Sequence, residues 1–467
     1  MALIAAPAQP PPPVDVPPAE TTPDAAPLTP PNAEAPPPQP LFTKVPPKSY
    51  WVPAVEALTL GVGIVGYDRW VAKDGYAQVT PDSIGHFVIT QPWFIDGDQM
   101  FMNFVAHPYM GSLAYNIARS NQLSYWESLG YTTAFAAAFE LAGELQNPSI
   151  NDLVNGSVGG SYFGETFHRL TEVLIQPGAP GAGPLRLVGG FLLDPMGSFN
   201  REVLGKPQPY QPEQLPQWQG RLYAGGLLIH GADYSRGQVV MGLDFSAGFP
   251  DDRSTRTLHP FDYMDMRFDY ALIGRPNGDI MIRGLLAGGR LQTSDAAGAA
   301  GLYGLYDFDS GPDFRVSATS AGPGISIGMA PGTGLRLRAT AVAAAVLMGA
   351  SGTDEQADFI YKGPDFNQPP IYEMGPGAEG LVDSTLDWKG IGQARLIARS
   401  WLIGGVKPIV GLERDAAVTL GAATAFRGWP SLGVELSAQG RIPADDHAPS
   451  QWGWIGRATV GAPLGDW

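Results

Sequence analysis

The chain has no cysteine among its 467 residues. That absence removes disulfide frameworks, thiolate metal sites and cysteine nucleophiles together, and it suits an oxidising envelope compartment where a stray thiol is a liability. Charge is also scarce, at 16% of residues, with 29 Lys and Arg against 45 Asp and Glu for a formal net charge of -16. No basic cluster stands out, so the counterion-displacing surface that nucleic acid requires is missing and nucleic acid is not an expected partner. Long hydrophobic runs are lacking too. The best, from Ala339 to Ala350, carries Thr340 and Gly349 and falls short of the roughly 18 apolar residues of a spanning helix. Membrane β-strands escape that test, because each needs only about 10 residues with every second one apolar.

What is abundant is Gly, at 60, and Pro, at 45, while aromatics still reach 10%, a turn-rich profile that leans towards β-structure. Seventeen of the first fifty residues are proline, and no aromatic residue precedes Leu41. Such a segment buries too little surface to offset its ordering entropy, so 1–48 reads as a disordered, polyproline-like tether, with a PxxP ligand role as the alternative. Met1 to Ala8 has the small residues of a signal-peptide end but no basic region and no full apolar stretch, so the signal is expected upstream or already removed.

From Trp51 to about Ile175 apolar residues recur at helical spacing, and 49–180 reads as a helical domain. Helices are expected at about Pro53–Ile64, Pro108–Ser120, Ser124–Gln146 and Ser149–Leu174. Ser124 and Ser149 are placed as N-caps, with Asp152 as the capping-box partner of Ser149. Gly156, Gly160 and Gly164 recur every four residues, which leaves a groove for another backbone.

Beyond about Pro184 the period becomes two. Val239, Met241, Leu243 and Phe245 alternate with Gln238, Val240, Gly242 and Asp244; Met264, Met266, Phe268 and Tyr270 alternate with Asp265, Arg267 and Asp269. Leu335, Leu337 and Ala339 oppose Arg336 and Arg338; Leu396 and Ala398 oppose Arg395 and Arg399; Leu432, Val434 and Leu436 oppose Glu435 and Ser437. Soluble sandwiches alternate as well, and a secreted β-rich protein is the competing class. Here the polar face carries charges of both signs and the strands are long for soluble sheets, which fits a lipid-facing band around a charged lumen. The expectation is an antiparallel outer-membrane β-barrel of roughly 12 strands over 181–467, with the tether in the periplasm and outer-membrane lipid and the barrel-assembly machinery as partners. Trp401, Trp429, Trp452 and Trp454 are read as interfacial girdle residues, and Trp467 as the end of an imperfect terminal β-signal.

The densest polar signal precedes the barrel: His107, Tyr115, Arg119, Asn121, Glu127, Glu140, Glu144, Ser149, Asp152, Asn155 and Glu165. The stretch Phe101–Arg169, with His107-Pro108-Tyr109, Trp126-Glu127-Ser128, Gly143-Glu144, Pro148-Ser149-Ile150-Asn151-Asp152 and Gly164-Glu165, resembles the bacterial domain of unknown function 3943. A looser likeness covers Gly304–Ser317. The resemblance implies an envelope protein with a helical stretch before a barrel, and it implies no chemistry.

Several constellations compete for those side chains. Glu140 and Glu144 share a helix face, and Glu165-x-x-His168 puts a carboxylate beside an imidazole, yet di-iron bundles need two such motifs and two further Glu, so neither metal nor other cofactor is expected. A hydrolase or lipid-modifying enzyme would draw on His107, Asp152, Glu165 and His168 with a hydroxyl such as Ser149 or Ser120, but no nucleophile elbow supports it. The reading favoured by the sequence is structural. The helices plug the lumen or cap its periplasmic mouth, pairing Arg119 with Glu127, Glu140, Glu144 or Glu165 and meeting strand arginines, in a protein serving envelope integrity or gated passage of a solute or lipid.

Overall fold

The computed structural model describes residues 48–465 except 91, 176–183, 207–216, 232, 251–257, 273–277, 312, 331–333, 354, 356–357, 359–371, 406–413 and 444–449. The Pro-rich tether read at 1–48 lies outside the described residues, Lys48 apart.

The helices come first: α1 (Trp51–Tyr67), α2 (Pro81–Thr90), α3 (His107–Ser120), α4 (Tyr125–Ala142), α5 (Ile150–Val154), α6 (Gly160–Ile175), α7 (Pro184–Leu193) and α8 (Pro195–Glu202). Wider, π-type turns at Asp68–Ala72, Met102–Ala106 and Asn155–Gly159 extend α1, precede α3 and join α5 to α6. Ser124 caps α4 in a full capping box with Glu127. Ser149 caps α5 by accepting from the Asp152 amide at 3.3 Å, but its own amide goes to Glu140 Oε2 at 2.8 Å rather than back to Asp152. The glycine groove takes α3. A Cβ added at Gly160 would lie 2.9 Å from the Gly111 Cα, and one at Gly164 would overlap the Tyr115 ring, so no larger residue fits at this crossing.

Twelve strands follow: β1 (Trp218–His230), β2 (Ser235–Ala247), β3 (Met264–Ala271), β4 (Gly278–Gln292), β5 (Ala296–Ser310), β6 (Phe314–Met329), β7 (Leu335–Thr353), β8 (Glu373–Trp388), β9 (Gly392–Gly404), β10 (Arg414–Phe426), β11 (Ser431–Ile442) and β12 (Gln451–Gly465). Each pairs antiparallel with its sequence neighbours, and β12 closes onto β1, so the fold is a closed 12-strand antiparallel barrel preceded by helices. Closure leaves no open edge.

Ion pairs between non-adjacent strands identify the inner face. Arg283 on β4 reaches Asp383 on β8 at 2.6 Å, and Arg267 on β3 reaches Glu435 on β11 at 3.0 Å. By alternation Ile280, Ile282, Tyr306 and Phe308 point outward, and so do Met264 and Met266. These outward residues are buried in one cluster with Tyr115, Tyr125, Tyr162 and Phe163 of the helices. The helices therefore pack on the outer wall of the barrel, across the sector from β2 to β8. The expectation of a plug or a mouth cap is corrected accordingly: the two described lumen cavities are lined by barrel residues, with no helical residue among them. The lumen has no need of helical charges, because strand acids already pair with the strand arginines.

Trp401 is a further correction. It is 2% exposed and packs inside with Phe314, Val316 and Ile403, whereas Trp429, Trp452 and Trp454 are exposed as girdle residues would be.

Candidate functional site

Two polar assemblies merit attention, one within the helices and one in the lumen. The helical side chains singled out by sequence fall into separate networks. In the first, the Asp96 Oδ1 accepts from the amides of Asn103 and Asn151, each at 3.0 Å, and Asn151 also donates to Asp152 Oδ1 at 2.9 Å. His107 Nε2 stands 3.5 Å from Asp152 Oδ1. Burial lowers the His107 pKa, with Asp96 opposing, and burial together with Asp96 raises that of Asp152. For Asp96 burial works against the charge, but bonds from Asp152, Asn151 and Asn103 outweigh it and lower its pKa. Burial also pushes Glu140 up to about 8, partly offset by the Ser149 amide. Glu144 lies beyond the end of α4 and is raised by burial and by Glu140. Asn155 closes this network on the barrel, donating to the Asn103 carbonyl at 2.9 Å and accepting from Thr319 Oγ1 of β6 at 3.0 Å.

The second network is a clamp on Glu165. Arg119 Nε, Tyr115 Oη and Arg169 Nε donate to its carboxylate at 2.8, 2.8 and 2.9 Å. Burial opposes the charge on Glu165, but Arg119 and Arg169 outweigh it and take its pKa down to about 2. Arg169 continues to the barrel, donating to the Pro260 carbonyl at 2.6 Å. His168 belongs to a separate pair. Its Nε2 lies 3.3 Å from Glu172, and although burial opposes its charge, Glu172 holds its pKa at about 9.

The remaining two residues are elsewhere. Asn121 donates to Glu56 at 3.0 Å, and Glu127 binds Lys48 at 2.8 Å at the surface. Of the four residues weighed as catalytic, only His107 and Asp152 meet; Glu165 and His168 are each engaged by other partners. Ser149 spends its hydroxyl on Asn151 Oδ1 at 2.7 Å, and the Ser120 hydroxyl donates to the Ile117 carbonyl at 2.8 Å. Among the described residues no group of three or more His, Asp or Glu is arranged to hold a metal ion.

Sequence reasoning missed Asp96, Asn103 and Tyr372, which complete the first network, Asp262, which joins Arg169 of the second, and Glu172, the partner of His168. Asp96 and Tyr372 come from connecting segments far apart in sequence, so no spacing rule links them.

The lumen network is larger. Arg399 on β9 holds Asp279, Asp307 and Asp309 of β4 and β5 at 3.1, 2.8 and 2.5 Å. Arg457 on β12 bridges Asp269 at 2.7 Å and Glu435 at 3.1 Å, and Arg283 bridges Asp265 at 2.7 Å and Asp383. A cavity of about 100 Å³ sits on one side of the Arg267, Glu435 and Arg457 layer, and another of about 30 Å³ on the other. Apolar side chains, among them Trp401, Ile403 and Val346, fill the lumen further along. The interior is a packed, charge-paired core.

No curated protein matches the chain. Among solved structures, the barrel is similar to the NanC porin, at 8% identity over 51% of this chain and 98% of that one, with a TM-score of 0.27. It is also similar to the outer membrane protein OprD from Pseudomonas aeruginosa, at 10% identity over 53% and 93% with a TM-score of 0.20. The outer membrane channel DcaP of Acinetobacter baumannii matches at 10% identity over 53% and 96%, with a TM-score of 0.24. Residues 92–196, the helical region before the barrel, match the family model of the domain of unknown function 3943.

Proposed function

We propose that this chain is a resident outer-membrane barrel that keeps its lumen shut and serves envelope integrity, with its helical domain built onto the barrel wall. The observation that carries this is the lumen network: arginines on β3, β4, β9 and β12 reach acids on strands across the barrel at 2.5 to 3.0 Å. Such pairs cross the space that a solute would use, and each is buried in a site where losing one partner leaves an uncompensated charge.

The test is conductance in planar lipid bilayers. The intact protein should insert without steady ion current, and Arg267→Ala combined with Arg457→Ala should produce current by unlocking the layer between the two cavities. Steady, ungated current through the intact protein would overturn the proposal.

A further inference from the structure

The helices occupy a place where lipid normally stands. On β2, Phe245 and Ala247 are buried under them while Val239 and Met241, further along the same outward face, are exposed; on β3, Met264 and Met266 are covered while Phe268 and Tyr270 are not. Covered and uncovered residues thus belong to one continuous apolar wall, the wall that faces hydrocarbon in a membrane barrel.

What the helices turn away from the barrel is then decisive. α1 packs on α3 and α4 through Ala57, Leu60 and Ile64, against Ile117, Phe135 and Phe139. Its opposite face presents Trp51, Val55, Leu58 and Val62, at 72, 53, 68 and 64% exposure, with Thr59 beside them returning its hydroxyl to the Val55 carbonyl at 2.8 Å. The one charge in α1, Glu56, is turned aside to Asn121, Asn200 and Lys206. Seventeen residues make α1 about 25 Å long, close to the apolar band of about 25 Å on membrane barrels. Exposed aromatics stand at both ends, Tyr50 and Trp51 at the start, Tyr67 at the finish and Trp70 just beyond it, as amphipathic rings do at membrane interfaces.

We infer that the exposed face of α1 contacts lipid acyl chains, making the helical domain an intramembrane flank of the barrel. The occupant is lipid because the face carries no charge to match a polar partner, is about as long as the apolar band and is flanked by exposed aromatics at both ends. The buried Glu165 clamp agrees with this placement, since ions beside hydrocarbon persist only when fully paired inside protein.

The inference rests on the membrane reading of the barrel, and the experiment separates the two. The cysteine-free chain accepts single nitroxide labels at Leu58→Cys, Val62→Cys, Leu420→Cys on the outward face of β10, and Ser294→Cys in the exposed β4–β5 turn. The full-length protein, in vesicles of phosphatidylcholine and phosphatidylglycerol and checked for heat-modifiable mobility, is exposed to oxygen and to a water-soluble nickel complex. Labels at 58, 62 and 420 should lose nickel accessibility relative to 294 and keep oxygen accessibility. Nickel access at 58 and 62 but not at 420 overturns the α1 inference alone, as does shielding from both reagents, which would mean a protein covers the face. Nickel access at 420 overturns the membrane reading itself.

Discussion

Glu165 is 1% exposed and carries two arginines and a tyrosine. Removing it leaves Arg119 and Arg169 as buried, unmatched cations, and breaking such a pair costs about 3–5 kcal/mol. Glu165→Ala should therefore loosen the helical domain towards protease while the barrel keeps its heat-modifiable mobility, whereas unchanged protease resistance would mean the clamp is not formed. A pH response follows from the same domain. Glu140, at about 8, and His168, at about 9, both sit above their usual values of 4.5 and 6.5 in the folded state. Raised folded pKa values stabilise the protonated forms, so their contribution is complete below the unfolded values and is lost as pH rises through the folded ones. Thermal unfolding of the helical signal should accordingly fall between pH 6 and pH 9; a rise over that window contradicts the assignment. Arg119 against Glu165 was one of four pairings the sequence offered, beside Glu127, Glu140 and Glu144, because a buried arginine needs a carboxylate and the helical region holds few. Asp96 and Tyr372 were out of its reach, since only the fold brings their segments together.

At the level of elements, the crossing of α3 and α6 is the tightest contact in the helical domain. Beside lipid there is little hydrophobic drive for helices to associate, and close backbone packing and hydrogen bonds must supply it. Gly160→Val should separate α6 from α3, because overpacking costs about 1–3 kcal/mol and here the obstruction is backbone. The expected outcome is a lowered helical melting transition with the barrel transition unchanged. The periodicity of four in Gly156, Gly160 and Gly164 announced this groove, and alternation announced the strands around Asp265, Arg267, Arg395 and Glu435. Alternation also reads Trp401 as lying on the Arg399 face, but its aromatic character suggested the membrane interface; cation–π contact with Arg399, at 5.3 Å, accounts for its place inside.

For the whole molecule, two arrangements give the same sequence pattern. An apolar outward strand face suits lipid or a helical domain equally well, so residues such as Met264, Ile282 and Phe308 could not say which of the two covers them. That is why the helices were expected in the lumen or at its mouth, and why their site on the wall emerges only from the contacts of Phe163 with Tyr306, at 4.7 Å between ring centroids, and of Tyr162 with the Ser320 carbonyl, at 3.1 Å. The lumen crossed by strand charge pairs and the helices mounted outside it are one architecture. Its most direct test uses paired substitutions in the cysteine-free chain. Asn155→Cys with Thr319→Cys replaces the hydrogen bond of 3.0 Å that joins the helices to the outward face of β6, and Asn155→Cys with Thr419→Cys aims the same helical position at the lumen. Oxidation should crosslink the first pair in the folded, heat-modifiable protein and leave the second unlinked. Crosslinking of the second pair without the first would place the helices inside the barrel and contradict the account.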